Sequence, residues 1–210
     1  MPLIQTSAPV REPVLLADAK NHLRVDTDIT QDDVLIAMLI GAARRYAEMY
    51  CNRSFITQQW RLVLDSFPGP SKYGVPFGTP YSLPAHAILL ERGTVRSIDS
   101  IVYTAMDGTE ATMPDTDWIA DLSGGLARLT PRFGKIWPIP LPQIGAVKVN
   151  FTAGYGNEPT DVPEGIRHWI LLRVSSLYEN REEVAVMQRG NVSSLPYVDS
   201  LLDPYRVVTA

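Results

Sequence analysis

The chain has 210 residues, 45% of them hydrophobic and 20% charged, with a net charge of −4 and one cysteine, Cys51. That length can bury one substantial core or two small ones. It leaves no intrachain disulfide, no run of about eighteen apolar residues that could span a membrane, and no basic stripe of the kind that grips phosphates.

Residues 1–13 carry three prolines and no period, which predicts an extended arm. The arm lacks the basic-then-apolar pattern of a secretory signal, so the chain is expected to be made in a reducing cytoplasm. Leu15 to Leu23 reads as a short helix with Leu15, Leu16, Ala19 and Leu23 on one side. After the polar turn Thr27 to Thr30, Thr30 and Asp33 resemble a capping box, with Asp in place of the usual Glu. The long helix that follows runs to about Cys51. Val34, Leu35, Met38, Leu39, Ala42, Tyr46 and Met49 recur at three-or-four spacing and predict its apolar face.

At Ile56 the period changes to two. Ile56, Gln58, Trp60, Leu62 and Leu64 alternate with Thr57, Gln59, Arg61, Val63 and Asp65, a half-buried strand. Pro68 to Pro84 holds five prolines and three glycines and is expected to be a long loop. Further strands are predicted at Ile88 to Glu91 and Val95 to Tyr103, with a hairpin at Asp107-Gly108 returning through Ala111 to Met113. Trp118 to Asp121 and Leu126 to Thr130 suggest a second hairpin, and Val147 to Thr152 a last strand before Gly154-Tyr155-Gly156. Asp161 and Pro163 then open a helix whose apolar face is Ile166, Trp169, Ile170, Val174, Leu177 and Tyr178 and which ends near Arg181. The two long helices are expected to pack together, Leu35, Met38, Leu39, Ala42 and Tyr46 facing Ile166, Trp169, Ile170, Val174 and Leu177.

The order of elements predicts an α+β fold: a small helical bundle of two N-terminal helices and one long C-terminal helix, with an inserted antiparallel β region and an extended C-terminal tail. The expected parts are 1–55 (helical), 56–156 (β), 157–190 (helical) and 191–210 (tail). Leu195, Tyr197, Leu201, Leu202, Tyr205 and Arg206 give the tail apolar and aromatic character without the length for a core of its own. They are expected to dock outward on a neighbour; the alternative is that the tail folds back over its own core.

No constellation for catalysis emerges. His22, His86 and His168 lack partners at zinc-ligand spacing, and no nucleophile elbow or Walker loop occurs. Asp115, Asp117 and Asp121 alternate as in a calcium loop but lack its glycine and closing glutamate. No cofactor or metal is expected, and an enzyme or a ligand-binding module stands as the lesser alternative.

Leu16-Ala17-Asp18-Ala19-Lys20-Asn21-His22-Leu23-Arg24-Val25 followed by Asp32-Asp33-Val34-Leu35-Ile36 resembles the N-terminal signature of phage gp6-like head–tail connector (adaptor) proteins. Ala42 to Glu48, Ile56 to Trp60, Phe67-Pro68, Val147 to Gly156, Ile170 to Glu182 and Leu201 to Arg206 extend the similarity, most closely to the phiE125 gp8 family within that group. Leu90 to Val95 departs from the family's Leu-Pro-x-x-Pro-Val. The resemblance implies a structural virion protein of a tailed bacteriophage, made in the host bacterial cytoplasm and located in the neck. It also implies a homo-oligomeric ring of about twelve copies that binds the portal protein and a stopper or tail-completion protein. DNA would pass through its channel without specific binding. Another neck or tail-completion protein is the alternative within the same class.

Overall fold

A computed structural model describes residues 2–69, 86–180 and 199–207. Its contacts divide the chain into two compact units, one of residues 1–8 and 57–154, the other of residues 9–56 and 155–208. The first is β and the second helical, an α+β protein with antiparallel sheets. The loop expected at Pro68 to Pro84 lies mostly outside the described residues.

The β unit contains β1 (Leu3–Ser7), β2 (Gln58–Leu64), β3 (Ile88–Leu90), β4 (Val95–Thr104), β5 (Glu110–Thr112), β6 (Trp118–Asp121), β7 (Ala127–Pro131) and β8 (Val147–Ala153). They form a five-stranded sheet in the order β1-β2-β8-β4-β5 and a three-stranded sheet in the order β3-β7-β6. The central register aligns Leu62, Val149 and Ile101 across three strands, all buried. One residue away, the alternation turns Arg61, Asn150 and Ser100 to the opposite face. There Arg61 Nε donates to Asn150 Oδ1 at 2.8 Å, and Asn150 Nδ2 donates to Ser100 Oγ at 2.8 Å. Leu64, Ile88, Leu90, Leu129, Val147 and Phe151 complete the inner layer. The predicted hairpin at Asp107-Gly108 joins β4 to β5, with Gly108 at φ 85°, the left-handed geometry that such turns assign to glycine.

The first residues depart from the expected arm. β1 pairs antiparallel with β2, Leu3 opposite Leu62, with an irregularity between Gln5 and Ser7. Its burial does not alternate, because an edge strand of five residues presents little to a core, so a period-based reading has nothing to detect.

The helical unit contains α1 (Leu16–Leu23), α2 (Asp33–Cys51) and α3 (Glu164–Glu179). α1 and α2 end on Arg24 and Asn52 in the left-handed conformation, the usual way of satisfying terminal carbonyls. α2 packs on α3, but with a different face from the one predicted. Ile36, Ile40, Ala43, Ala47 and Cys51 are the buried residues, against Ile166, Trp169, Ile170 and Val174 of α3. Leu35 and Leu39 are half-buried, Leu39 at the margin of the core, while Ala42 is exposed and Met38 is 66% exposed. Tyr46 is 43% exposed yet stacks on the Trp169 ring, centroids 5.7 Å apart. The correction has a simple cause. α2 carries apolar residues on two stripes of the same period, and the one that includes Ala43, Ala47 and Cys51 joins the core with Trp169. A period fixes spacing, not which of two equal-period faces turns inward.

Two buried cations, Lys20 and Arg44, brace this unit. Lys20 Nζ, 4% exposed, pairs with Asp33 at 2.9 Å and donates to the carbonyls of Thr27 (3.0 Å) and Ile29 (2.7 Å), fixing the turn between α1 and α2. Arg44 pairs with Glu12 (2.7 Å) and Glu48 (2.8 Å). Glu48 also accepts the Phe55 backbone N–H at 2.9 Å, tying the exit of α2 to its interior. Burial by itself would lower the pKa of Arg44, but the hydrogen bond to Glu12 and the charges of Glu48 and Glu12 outweigh it and leave the pKa raised.

Candidate docking and assembly surfaces

The tail was expected to reach outward, and residues 199–207 do the opposite. Two short 3₁₀ turns, Asp199–Leu201 and Asp203–Tyr205, hold Leu202 fully buried in the helical core. Trp169 Nε1 donates to Asp199 Oδ1 at 3.1 Å, and the Tyr50 hydroxyl donates to Asp203 Oδ1 at 2.8 Å. Val207 N–H donates to the Cys51 carbonyl at 2.9 Å, Arg53 Nε donates to the Tyr205 carbonyl, and the Arg206 guanidinium lies 5.2 Å over the Tyr50 ring. Gly165 of α3 leaves space for the Tyr205 ring, which a Cβ there would meet at 3.2 to 3.3 Å.

The outward role is therefore corrected for Leu201, Leu202 and Tyr205, which pack on the helical core. Arg206 is exposed, while Leu195 and Tyr197 lie outside the described residues. The physical reason is that Leu202 finds a vacancy beside Cys51 and Trp169, so an apolar tail gains more from its own core than from water. The folding-back alternative was available from the sequence; the pairing of Asp199 with Trp169, 30 residues apart, was not.

Among the described residues, two groups of large apolar side chains stand out as exposed. On α2, Val34, Met38 and Met49 are 73%, 66% and 74% exposed, on one face at helical spacing with exposed Ala42 and Arg45 between Met38 and Met49. In the β unit, the segment between β7 and β8 exposes Phe133, Ile136, Ile139 and Ile144. That segment is pinned by Trp137, which stacks on Phe67 at 4.9 Å and donates its indole N–H to the His86 carbonyl at 2.6 Å. Leu141 N–H donates to the Thr104 carbonyl and Gly145 N–H to Asp65, both at 2.8 Å. Pro138, Pro140 and Pro142 fix φ between these ties, so the apolar side chains stand on stiff backbone.

Ionisable groups are dispersed. Among the described residues no three His, Cys, Asp or Glu side chains are placed to hold a metal ion, and no helix is long and apolar enough to cross a membrane. Asp117 pairs with Lys135 at 2.9 Å, and Asp121 pairs with Ser123 and Arg128. The Ser123 and Arg128 hydrogen bonds hold the Asp121 carboxyl well below the usual carboxylate range. A pocket of about 440 Å³ in the β unit is lined by Leu62, Leu64, Phe67, Pro68 and Ile88, with Glu91 the one ionisable group among the described lining residues.

Residues 14–89 match the family model of the phage gp6-like head–tail connector protein. No curated protein sequence matches the chain. Among solved structures, a chain from the neck of an empty gene transfer agent particle, computed with C6 symmetry, superposes with a TM-score of 0.76 at 19% identity. The alignment covers 100% of this chain and 97% of that one. A chain from the virion of the native gene transfer agent particle gives 0.74 at 20% identity, with the same coverage. A chain from the native particle's neck, computed with C12 symmetry, gives 0.65 at 18% identity, again with the same coverage. The family match falls on the first helices and β2 and the fold is shared over the whole length, so the chain is similar to phage gp6-like head–tail connector proteins in residues 14–89 and to gene transfer agent particle chains in fold.

Proposed function

We propose that the chain is a structural adaptor that forms a homo-oligomeric ring beneath the portal, lengthens the DNA channel and offers the surface to which a stopper or tail-completion protein attaches. The connector match over residues 14–89 carries the reading. The ring is supported by neck particles of cyclic symmetry whose chains share this fold. The helical unit acts as the small bundle that stiffens each subunit. The chain works by shape and not by catalysis, without cofactor or metal, in the virion neck. Its ionisable groups form scattered structural pairs, unlike the convergent perturbed groups of an active site.

Portal contact falls to Leu195, Tyr197 and the exposed Arg206, since Leu202 is committed to the core. The test mixes the purified chain with the portal protein of its particle and images the product by electron microscopy. An added ring coaxial with the portal is expected, and an unchanged portal overturns the reading. The variant Leu195→Ala/Tyr197→Ala is expected to keep the wild-type unfolding temperature and lose the added ring. Retention of the ring would remove these two residues from the contact.

A further inference from the structure

We infer that neighbouring copies join through the two exposed apolar surfaces, the 133–144 segment of one copy seating on the α2 stripe of the next. The inference rests on the ring reading above and names the faces that would build it.

A closed ring uses head-to-tail contacts, in which one surface of each copy meets a different surface of its neighbour. A chain built for this must carry two unlike patches that fit each other. The α2 stripe and the 133–144 segment are such a pair, and their chemistry matches in three ways.

Size comes first. Val34, Met38 and Met49 are about three-quarters exposed, and Phe133, Ile136, Ile139 and Ile144 range from 79% to fully exposed. Water-facing apolar clusters of this kind mark interaction surfaces. Shape comes second. Met38 and Met49 offer a deformable ridge that adapts to what meets it. The facing segment is stiff, held by Trp137 and by three prolines, so little ordering entropy opposes its docking. Charge comes third. The turn leading into α2 carries Asp26 and Asp28, both exposed, at the Val34 end of the stripe. The segment carries exposed Arg132 directly before Phe133. Opposite charges at these ends set the direction of docking, Phe133 toward Val34, and disfavour the reverse.

The test uses the full-length chain, alone and with its portal protein. In the double variant Met38→Cys/Ile136→Cys, a short bis-maleimide should link copy to copy into a ladder that runs beyond the dimer, because each copy contributes two different reactive faces. Each single variant should stop at the dimer or remain unlinked; the native Cys51 is buried and serves as the internal control. Arg132→Asp should raise the concentration needed for ring formation by roughly tenfold, and adding Asp26→Arg/Asp28→Arg should restore it. Rings visible by electron microscopy without a ladder beyond the dimer overturn these faces while leaving the ring intact. So does a Met38→Asp variant that forms rings normally but no longer joins the portal, which would give the stripe to a different partner. Absence of any ring from the wild-type chain, with or without portal, removes the ring reading and this inference together.

Discussion

Glu48 shows how much one side chain holds in the helical unit. It lies on the inner half of α2, pairs with Arg44 and accepts the Phe55 N–H. Removing it leaves a guanidinium that is 8% exposed short of one partner and a buried backbone donor unmet. Breaking a buried pair from one side costs about 3–5 kcal/mol. Urea unfolding of Glu48→Ala is expected to show a loss in that range, with Glu48→Gln retaining part of it through its carbonyl oxygen. A loss below the range of an exposed pair would show that the network is solvated. Asp121 makes the complementary case at the surface. Its folded pKa is depressed, first by the Ser123 hydroxyl and then by Arg128. A depressed carboxylate contributes stability that is whole above its unfolded pKa of about 3.9 and lost as pH falls through the lower folded value. Asp107, Glu110 and Asp117 are shifted the same way. Melting temperature should therefore be insensitive to these groups near neutral pH and fall on acidification below about pH 4, less steeply in Asp121→Asn. Equal acid sensitivity in the variant would show that Asp121 contributes nothing to it.

At the level of elements, residues 199–207 behave as a clasp on the helical unit, not as a free end. Leu202 has no exposed surface, and its neighbours are held by Trp169, Tyr50, Arg53 and the Cys51 carbonyl. Leu202→Ala should cost about 2–5 kcal/mol, as for other buried leucines. Deleting residues 199–210 should lower the unfolding temperature further, because the Trp169 indole then loses its acceptor as well. A deletion variant as stable as the full chain would return the clasp to the status of a loose tail. The same segment shows what the sequence makes legible. Strands with strict alternation, such as β2 and β8, announce themselves, as do the hairpin glycine and the proline that opens α3, because each follows from local geometry. The partner of Leu202 depends on a vacancy made by residues 30 to 150 positions away, which no local period encodes. The inner face of α2 failed for a related reason. Val34, Met38 and Met49 are apolar at the same period as Ile36 and Ile40, and only the tertiary packing decides between the two faces. The stripe misread as core is exposed in the folded chain and is the surface proposed above for the neighbouring copy.

At the scale of the molecule, the relevant quantity is charge in relation to DNA. Nineteen Lys and Arg are set against twenty-three Asp and Glu, for a net charge of −4. Five of these cations, Arg44, Arg128, Lys20, Lys135 and Lys148, each pair with a carboxylate. The polar face of the five-stranded sheet follows the same rule, with Lys148 on Glu110 and Arg61 on Asn150. A protein that grips duplex DNA releases condensed counterions, and each phosphate it neutralises adds about 0.9 to the magnitude of the slope of log affinity against log salt. A channel built to let DNA pass gains from the reverse, cations already satisfied and a weakly repulsive field. The ring proposed above is therefore expected to show no retention of duplex DNA at physiological salt, and at low salt a slope smaller than about one. Fluorescence anisotropy with a labelled duplex, titrated across ionic strength, measures this directly. Replacing the acid of a structural pair, as in Glu110→Gln, frees Lys148 and should raise the slope by up to about one per copy in contact if that face lines the channel. No change would place the face elsewhere on the ring. Tight binding by the wild-type ring with a steep salt dependence would mean that the neck holds the genome and does not simply conduct it.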